Sequence, residues 1–300
     1  MMKRILLLLF LFTPLFSIGQ YTAIPDTTFE QALINLGYDS GTPDGQVLTA
    51  NISGLTSLDV SASGGYINDL TGIEDFTALT ELNCTNHSLT SLDLTQNTAL
   101  INLGCSYNQL TSLDVTQNTA LEQLFCITNP LTSIDVTQNT ALTILKCSGQ
   151  ILTSLDVTQN TALEQLDCEM CQLTSLDLTQ NTALTGLECG ENQLECLNVK
   201  NGNNINMTFL DARYNPDLTC IEVDDVAHST ANWSNIDSGV TFSTNCNNAC
   251  STVGIEEYSN QPRKLIRILD LLGRETNFKP NTPLIYQYDD GSVEKVIREN

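Results

Sequence analysis

Leu89-Thr90-Ser91-Leu92-Asp93-Leu94-Thr95-Gln96-Asn97-Thr98-Ala99-Leu100 returns with almost no drift at Leu110, Leu131, Leu152 and Leu173, so a period of 21 residues holds through five copies. A chain written this way cannot fold as independent beads. One copy brings a handful of core side chains, such as Leu110, Leu113, Val115, Leu121, Leu124 and Cys126, too few to offset the entropy lost in ordering its own backbone. The deficit is met only when neighbouring copies cover each other's apolar edges and pair their strands, which makes a stacked solenoid that needs a cap at each end.

Within Leu100-Ile101-Asn102-Leu103-Gly104-Cys105-Ser106-Tyr107-Asn108-Gln109-Leu110 the apolar residues fall at spacings 3, 2 and 5, and Leu103 with Cys105 alternates as a short strand does. The frame, recurring in register from about Leu55 to Leu218, resembles the leucine-rich-repeat family and its L-x-x-L-x-L-x-x-N/C-x-L pattern, with Cys in the third apolar slot. The resemblance implies an α/β-type repeat solenoid dominated by β and turns: a right-handed coil with a parallel sheet on its concave face. At this repeat length the return side has no room for a long helix, so turns, short 3₁₀ pieces or extended segments are expected there. Asn108, Asn129, Asn192 and Asn215 keep the Asn slot, whereas His87, Gln150 and Cys171 replace it and make those turns suspect.

The first residues, Met1-Met2-Lys3-Arg4, an apolar run from Ile5 to Phe16, and Ser17-Ile18-Gly19 before Gln20 read as a cleaved secretory signal. No Cys follows the apolar run to carry a lipid, and no later stretch reaches the roughly 20 apolar residues that span a bilayer. The expected location is therefore secreted or on the outer cell surface, with no transmembrane segment in the mature chain.

Eleven cysteines in an exported chain would ordinarily signal a disulfide framework. Six of them, Cys84, Cys105, Cys126, Cys147, Cys168 and Cys189, are instead spaced by 21 residues in one inward slot and read as a stacked ladder of small buried hydrophobes. Zinc wants ligands converging on a point, and a ladder spreads them along a line. Near the end of the array Cys220 with Cys246 is the first disulfide candidate and Cys196 with Cys220 the second.

Caps are legible on both sides. Phe29, Ala32, Leu33 and Leu36 line one face of a helix with Thr27 or Thr28 as N-cap and Gly37 as stop, while Gly41 and Pro43 make the segment from Asp39 to Gly45 a turn rather than a calcium loop. At the other end Trp233 and Phe242 supply a terminal cover. The resulting division is a signal peptide (1–19), an N-terminal cap with a short helix (20–54), the repeats (55–223), a C-terminal cap (224–250), a linker (251–262) and a small β-rich module (263–300).

That last module differs in kind. Residues 20–250 hold three basic and 27 acidic groups, a net of −24, whereas residues 251–300 hold seven against eight. Lys264 to Asp270, Pro283 to Tyr288 and Val293 to Ile297 are strand-like runs parted by turn signals. The strings Asp270-Leu271-Leu272-Gly273-Arg274 and Tyr288-Asp289-Asp290-Gly291-Ser292-Val293-Glu294-Lys295 resemble the C-terminal sorting domain of the type IX secretion system. The resemblance implies that the type IX machinery is a partner and that the tail is removed or exchanged for an anchor.

Catalytic signals are thin: two histidines, His87 and His228, far apart, and no phosphate loop, nucleophile elbow or paired zinc-hydrolase histidines. The expectation is no enzyme, no catalytic residue, no metal and no cofactor. Asp93, Asp114, Asp135, Asp156 and Asp177 stack on the return side, where Thr hydroxyls or backbone N–H groups could offset a repulsion of about 0.8 kcal/mol per neighbouring pair. Function then falls to the surface that varies between copies. Candidate ligand-binding residues of the concave face are Tyr107, Phe125, Ile127, Ile144, Lys146, Met170, Glu188, Arg213 and Tyr214, with Phe125, Ile127 and Ile144 as an apolar patch suited to protein contact. A protein or glycan ligand is expected; the acidity opposes nucleic acid and anionic membranes. The alternative is a structural adhesin or rigid spacer without a discrete ligand site.

Overall fold

The computed structural model of the chain describes residues 19–247, 250, 265–269, 276, 284–288 and 293–296. The signal peptide read at 1–19, but for its last residue, and the linker read at 251–262 lie outside the described residues. The chain divides into two compact units, Met1–Val253 and Gly254–Asn300.

The first unit opens with β1 (Tyr21–Ala23), α1 (Thr27–Asn35), β2 (Gln46–Leu48) and α2 (Thr49–Ile52), β1 and β2 pairing antiparallel. The N-cap of α1 is Asp26 rather than either threonine: its Oδ1 accepts from the N–H groups of Thr28 at 2.8 Å and Phe29 at 3.0 Å. A carboxylate reaches two of the helix's unsatisfied donors at once, and its charge suits the positive end of the dipole. Phe29, Ala32 and Leu33 are buried as expected, but Leu36 is 46 % exposed, because it already caps the helix where Gly37, at φ 82°, turns the chain away. The turn that follows is held by a buried carboxylate: Glu30 accepts from Asp44 N at 2.6 Å and Gly45 N at 2.8 Å.

The coils then follow as β3 (Ser57–Asp59), β4 (Glu81–Asn83), β5 (Asn102–Gly104), β6 (Gln123–Phe125), β7 (Ile144–Lys146), β8 (Gln165–Asp167), β9 (Ser175–Asp177), β10 (Gly186–Glu188), β11 (Cys196–Asn198), β12 (Phe209–Asp211), β13 (Cys220–Glu222) and β14 (Thr241–Ser243). They make two parallel sheets. One runs β3-β4-β5-β6-β7-β8-β10-β12 and the other, on the return side of the later coils, β9-β11-β13-β14. Register is exact in residue type as well as hydrogen bonding, with Leu82, Leu103, Leu124, Leu145, Leu166 and Leu187 each opposite the next. These leucines and the cysteines two residues on, Cys84 through Cys189, are buried and form one continuous core with the return-side Leu and Val residues. The cysteines are free thiols, and desolvation pushes Cys84 up to about 12.

Two columns of side-chain amides stitch the coils. Asn108 Nδ2 donates to Cys84 O of the preceding coil at 2.9 Å and to Cys105 O at 3.0 Å, while its Oδ1 accepts from Leu89 N. The suspect substitutions do not disturb this turn. Gln150 reproduces the bonds, accepting from Leu131 N and donating to Cys126 O; His87 accepts from Ile67 N and contacts Val60 O; Cys171 Sγ reaches Cys147 O. The second column, Asn97, Asn118, Asn139, Asn160 and Asn181, is fully buried on the return side. Each of these amides donates to two carbonyls of the coil before, as Asn118 does to Leu94 O at 3.1 Å and Asn97 O at 2.9 Å. The return-side aspartates are bonded too: Asp114 Oδ1 accepts from Thr116 N at 2.9 Å and Thr116 Oγ1 at 2.7 Å, a pattern shared by Asp93, Asp135 and Asp156.

At the far end α3 (Val226–Asn232) is capped by Asp225, and Trp233 packs edge-on to Phe242 at 5.8 Å while donating from Nε1 to Met207 O. Disulfides join Cys220 to Cys246 and Cys196 to Cys250. Cys196 and Cys220 are not paired with each other, which corrects the second candidate. They head the neighbouring parallel strands β11 and β13 beside the registered pair Leu197 and Ile221, and side chains lying parallel on adjacent strands do not present the near-perpendicular torsion a disulfide needs. The second unit contains an antiparallel meander, β15 (Leu265–Leu269), β16 (Leu284–Tyr288) and β17 (Val293–Val296).

Candidate functional site

Because side chains alternate along a strand, the middle residue of each concave strand points to the core and its two neighbours point to solvent. Stacking eight such strands draws rows across the face. The row at the strands' third position runs Asp59, Asn83, Gly104, Phe125, Lys146, Asp167, Glu188, Asp211; the row at the first position runs Ser57, Glu81, Asn102, Gln123, Ile144, Gln165, Gly186, Phe209. No two adjacent residues of the third-position row are identical, and its last three, Asp167, Glu188 and Asp211, are all acidic.

Of the sequence-derived candidates, Phe125, Lys146 and Glu188 fall in the third-position row and Ile144 in the first. Ile127 and Arg213 lie two residues beyond the ends of β6 and β12. Phe125, Ile127 and Ile144 are half-buried, so the apolar patch is set into the sheet rather than standing on it. Tyr107, Met170 and Tyr214 are placed elsewhere, on the turns beyond β5, β8 and β12, where they are exposed along one rim. They share a backbone feature that nothing in their residue types announces: all three have φ between 52° and 60°.

Residues outside the candidate set join the candidates on this face. Between β3 and β6 lies a concavity of about 570 Å³, lined by Leu82, Asn83, Leu103, Gly104, Tyr107 and Phe125 among others. Further along, Asp167 and Glu169 join Glu188, and the three can bring carboxylate oxygens within 4.8 Å of one another. Burial, then the charges of Glu188, Asp167, Asp211 and Glu191, raise the Glu169 carboxyl. Burial and Asp167 do the same to Glu188, with Lys146 pulling the other way. Asp211 differs: burial opposes its charge, but the bonds from Arg213, whose Nε lies 3.0 Å from Oδ1, hold it below its ordinary value. Oxygen sets of this kind suit hard cations, although surface carboxylates also gather without one.

The two histidines do not meet. His87 serves the turn between Val60 and Ile67, and His228 stands edge-on to Trp233 in the C-terminal cap. Among the described residues no helix is long and apolar enough to cross a membrane.

No family model matches the sequence, and no curated protein matches it. Solved structures do. The functional domain of InlJ from Listeria monocytogenes, described as including a cysteine ladder, is 34% identical over 70% of this chain and 55% of its own length, with a TM-score of 0.55. A leucine-rich-repeat protein of Leptospira interrogans is 21% identical over 64% of this chain and 51% of its own, at a TM-score of 0.50. An internalin C2 of Listeria monocytogenes is 19% identical over 76% of this chain and 99% of its own, at a TM-score of 0.57. The chain thus spans about half the length of the first two. With parallel sheets wound on a 21-residue period and a column of buried cysteines in the repeat's third apolar slot, these likenesses show the fold: the chain is a leucine-rich-repeat solenoid.

Proposed function

We propose that the chain is a secreted or surface-displayed binding protein that holds a protein or glycan partner on its concave sheet. One observation carries this reading: the concave rows change residue at every coil, while the return side repeats Thr-Ser-Leu-Asp and Thr-Gln-Asn almost unchanged. A fold that needed only to be stiff would have no reason to vary one face and hold the other. Likeness to bacterial internalins supports a surface repeat protein, and two disulfides suit an oxidising compartment. Export by the type IX route is part of the proposal, supported by the Asp-Leu-Leu-Gly-Arg and Tyr-Asp-Asp-Gly-Ser-Val-Glu-Lys strings and by β-strands at the three runs read as strand-like.

A second reading, a rigid spacer or adhesin component packing through its return side, is favoured by the uniformity of that side alone. The two separate on one variant. With Phe125 and Ile127 both replaced by Asp, the full chain retains its melting temperature within a few degrees and loses crosslinked capture of its surface partner. Unchanged capture would shift the function to the return side.

A further inference from the structure

The concavity between β3 and β6 exists because the third-position row drops from Asn83 to a glycine before rising to Phe125. Gly104 is not forced there by the backbone, for its φ lies outside the left-handed region, and a Cβ built on it would meet only side-chain atoms, Asn83 Oδ1 at 3.1 Å and Thr85 Oγ1 at 3.4 Å. Those atoms end rotatable groups and can give way. Glycine inside a strand weakens it, so the missing side chain is a loss in stability that leaves a notch. Its lining exposes mainly apolar atoms, the Phe125 ring and Tyr107 among them, while Leu82 and Leu103 beneath it turn their side chains into the core.

Charge brackets the notch. Asp59 and Glu81 border it on one side, and Asp167, Glu169, Glu188 and Asp211 follow on the other. The cations on this stretch of face are Lys146 and Arg213, and Arg213 is engaged by Asp211. Residues 20–250 carry a net charge of −24. An anionic ligand is repelled over the whole approach, and a cationic one is drawn to these carboxylates, of which Asp167 and Asp211 are buried and Glu169 and Glu188 half-buried.

We infer that the notch at Gly104 takes a large apolar side chain from an extended protein segment, and that a Lys or Arg four to six residues away in that segment lies over the carboxylates of β8 and β10. This rests on the proposed concave-face function. The spacing follows from the sheet: β5 to β8 is three strand steps and β5 to β10 four, or ~14–19 Å at ~4.8 Å a step, which an extended chain covers in about four to six residues at ~3.3 Å each.

The test is selection of a random peptide library on the full chain, followed by anisotropy titration of the enriched peptides as synthetic probes. Enriched sequences are expected to pair a Phe, Leu, Ile or Met with a Lys or Arg at that separation. Gly104→Leu, which fills the notch, and the double variant Glu169→Gln with Glu188→Gln are each expected to weaken binding at least tenfold, and raising salt from 50 to 500 mM to weaken it in the wild type. Thr153→Ala on the return side leaves it unchanged, and melting curves confirm that every variant folds. Peptides that lack the basic residue, or that bind both concave variants normally yet lose affinity to Ile144→Asp, would overturn this inference and leave the concave reading standing. Peptides indifferent to Ile144→Asp as well would remove both. Absence of enrichment, or notch-dependent binding of uncharged glycans on an array, would also overturn it.

Discussion

At the scale of single residues the most informative row is the one at the rim: Asn86, Tyr107, Thr128, Met170, Glu191 and Tyr214 all hold φ between 52° and 65°, and Gly149 stands in the same row at 71°. In all but the last of these coils the left-handed turn lets the N–H continue the ladder beyond the strand, Tyr107 N to Ile127 O at 2.7 Å and Thr128 N to Ser148 O at 2.8 Å, whereas Tyr214 N donates to Asp237 Oδ1 at 2.9 Å. Such a conformation costs an L side chain ~1–2 kcal/mol, more for a β-branched one. Thr128→Gly is therefore expected to stabilise the chain by up to about 1 kcal/mol, after allowing for the extra freedom glycine gains when unfolded; urea denaturation would measure it, and a loss of stability would mean that Thr128 makes a contact worth more than its strain. Nothing in Tyr, Thr, Met or Glu signals positive φ, which is why this geometry was invisible in the sequence. The neighbouring Asn108, by contrast, was legible, because its amide is a fixed part of the repeat frame.

Among the elements, α1 shows how a single side chain joins a cap to the array. Besides capping the helix, Asp26 accepts through Oδ2 from Asn68 N at 2.8 Å and Asp69 N at 3.2 Å. Burial alone would raise its carboxyl, but the N–H bonds from Asn68, Phe29, Thr28 and Asp69 outweigh it and lower the value below 3.8. The sign follows: a folded-state value below the unfolded one stabilises the protein above the unfolded value, and this contribution fades as pH falls through the lowered one. Asp26→Ala should cost roughly 1–2 kcal/mol at pH 7, with the gap to wild type narrowing on acidification below pH 3.8; chemical denaturation at both pH values checks it, and a gap that does not depend on pH would sink the argument. The helix itself was readable from the spacing of Phe29, Ala32 and Leu33. Its cap was not, because Asp26 stands beside two threonines that cap almost as well, and only the bonds to Asn68 and Asp69 decide between them. In the same way the strands were readable from Leu-x-Cys, whereas the notch at Gly104 and the gathering of Asp167, Glu169 and Glu188 depend on which rows neighbouring coils bring together.

For the whole molecule, cohesion lies between coils, so the thiol column reports on all of them together. The seven free cysteines are buried, and an aromatic disulfide reagent should find none of them in the native chain and all of them in one transition with denaturant; reaction of individual cysteines at successive denaturant concentrations would mean that coils open separately. The two ends are not equivalent. Cys196 to Cys250 and Cys220 to Cys246 tie the last coils covalently, while β1, β2 and α1 hold the first through hydrogen bonds and packing alone. Such a stack melts as one piece yet does not come apart evenly: the unfolded chain still carries its carboxy-terminal loops tied shut, a tether that leaves less to be gathered when the coils wind up again.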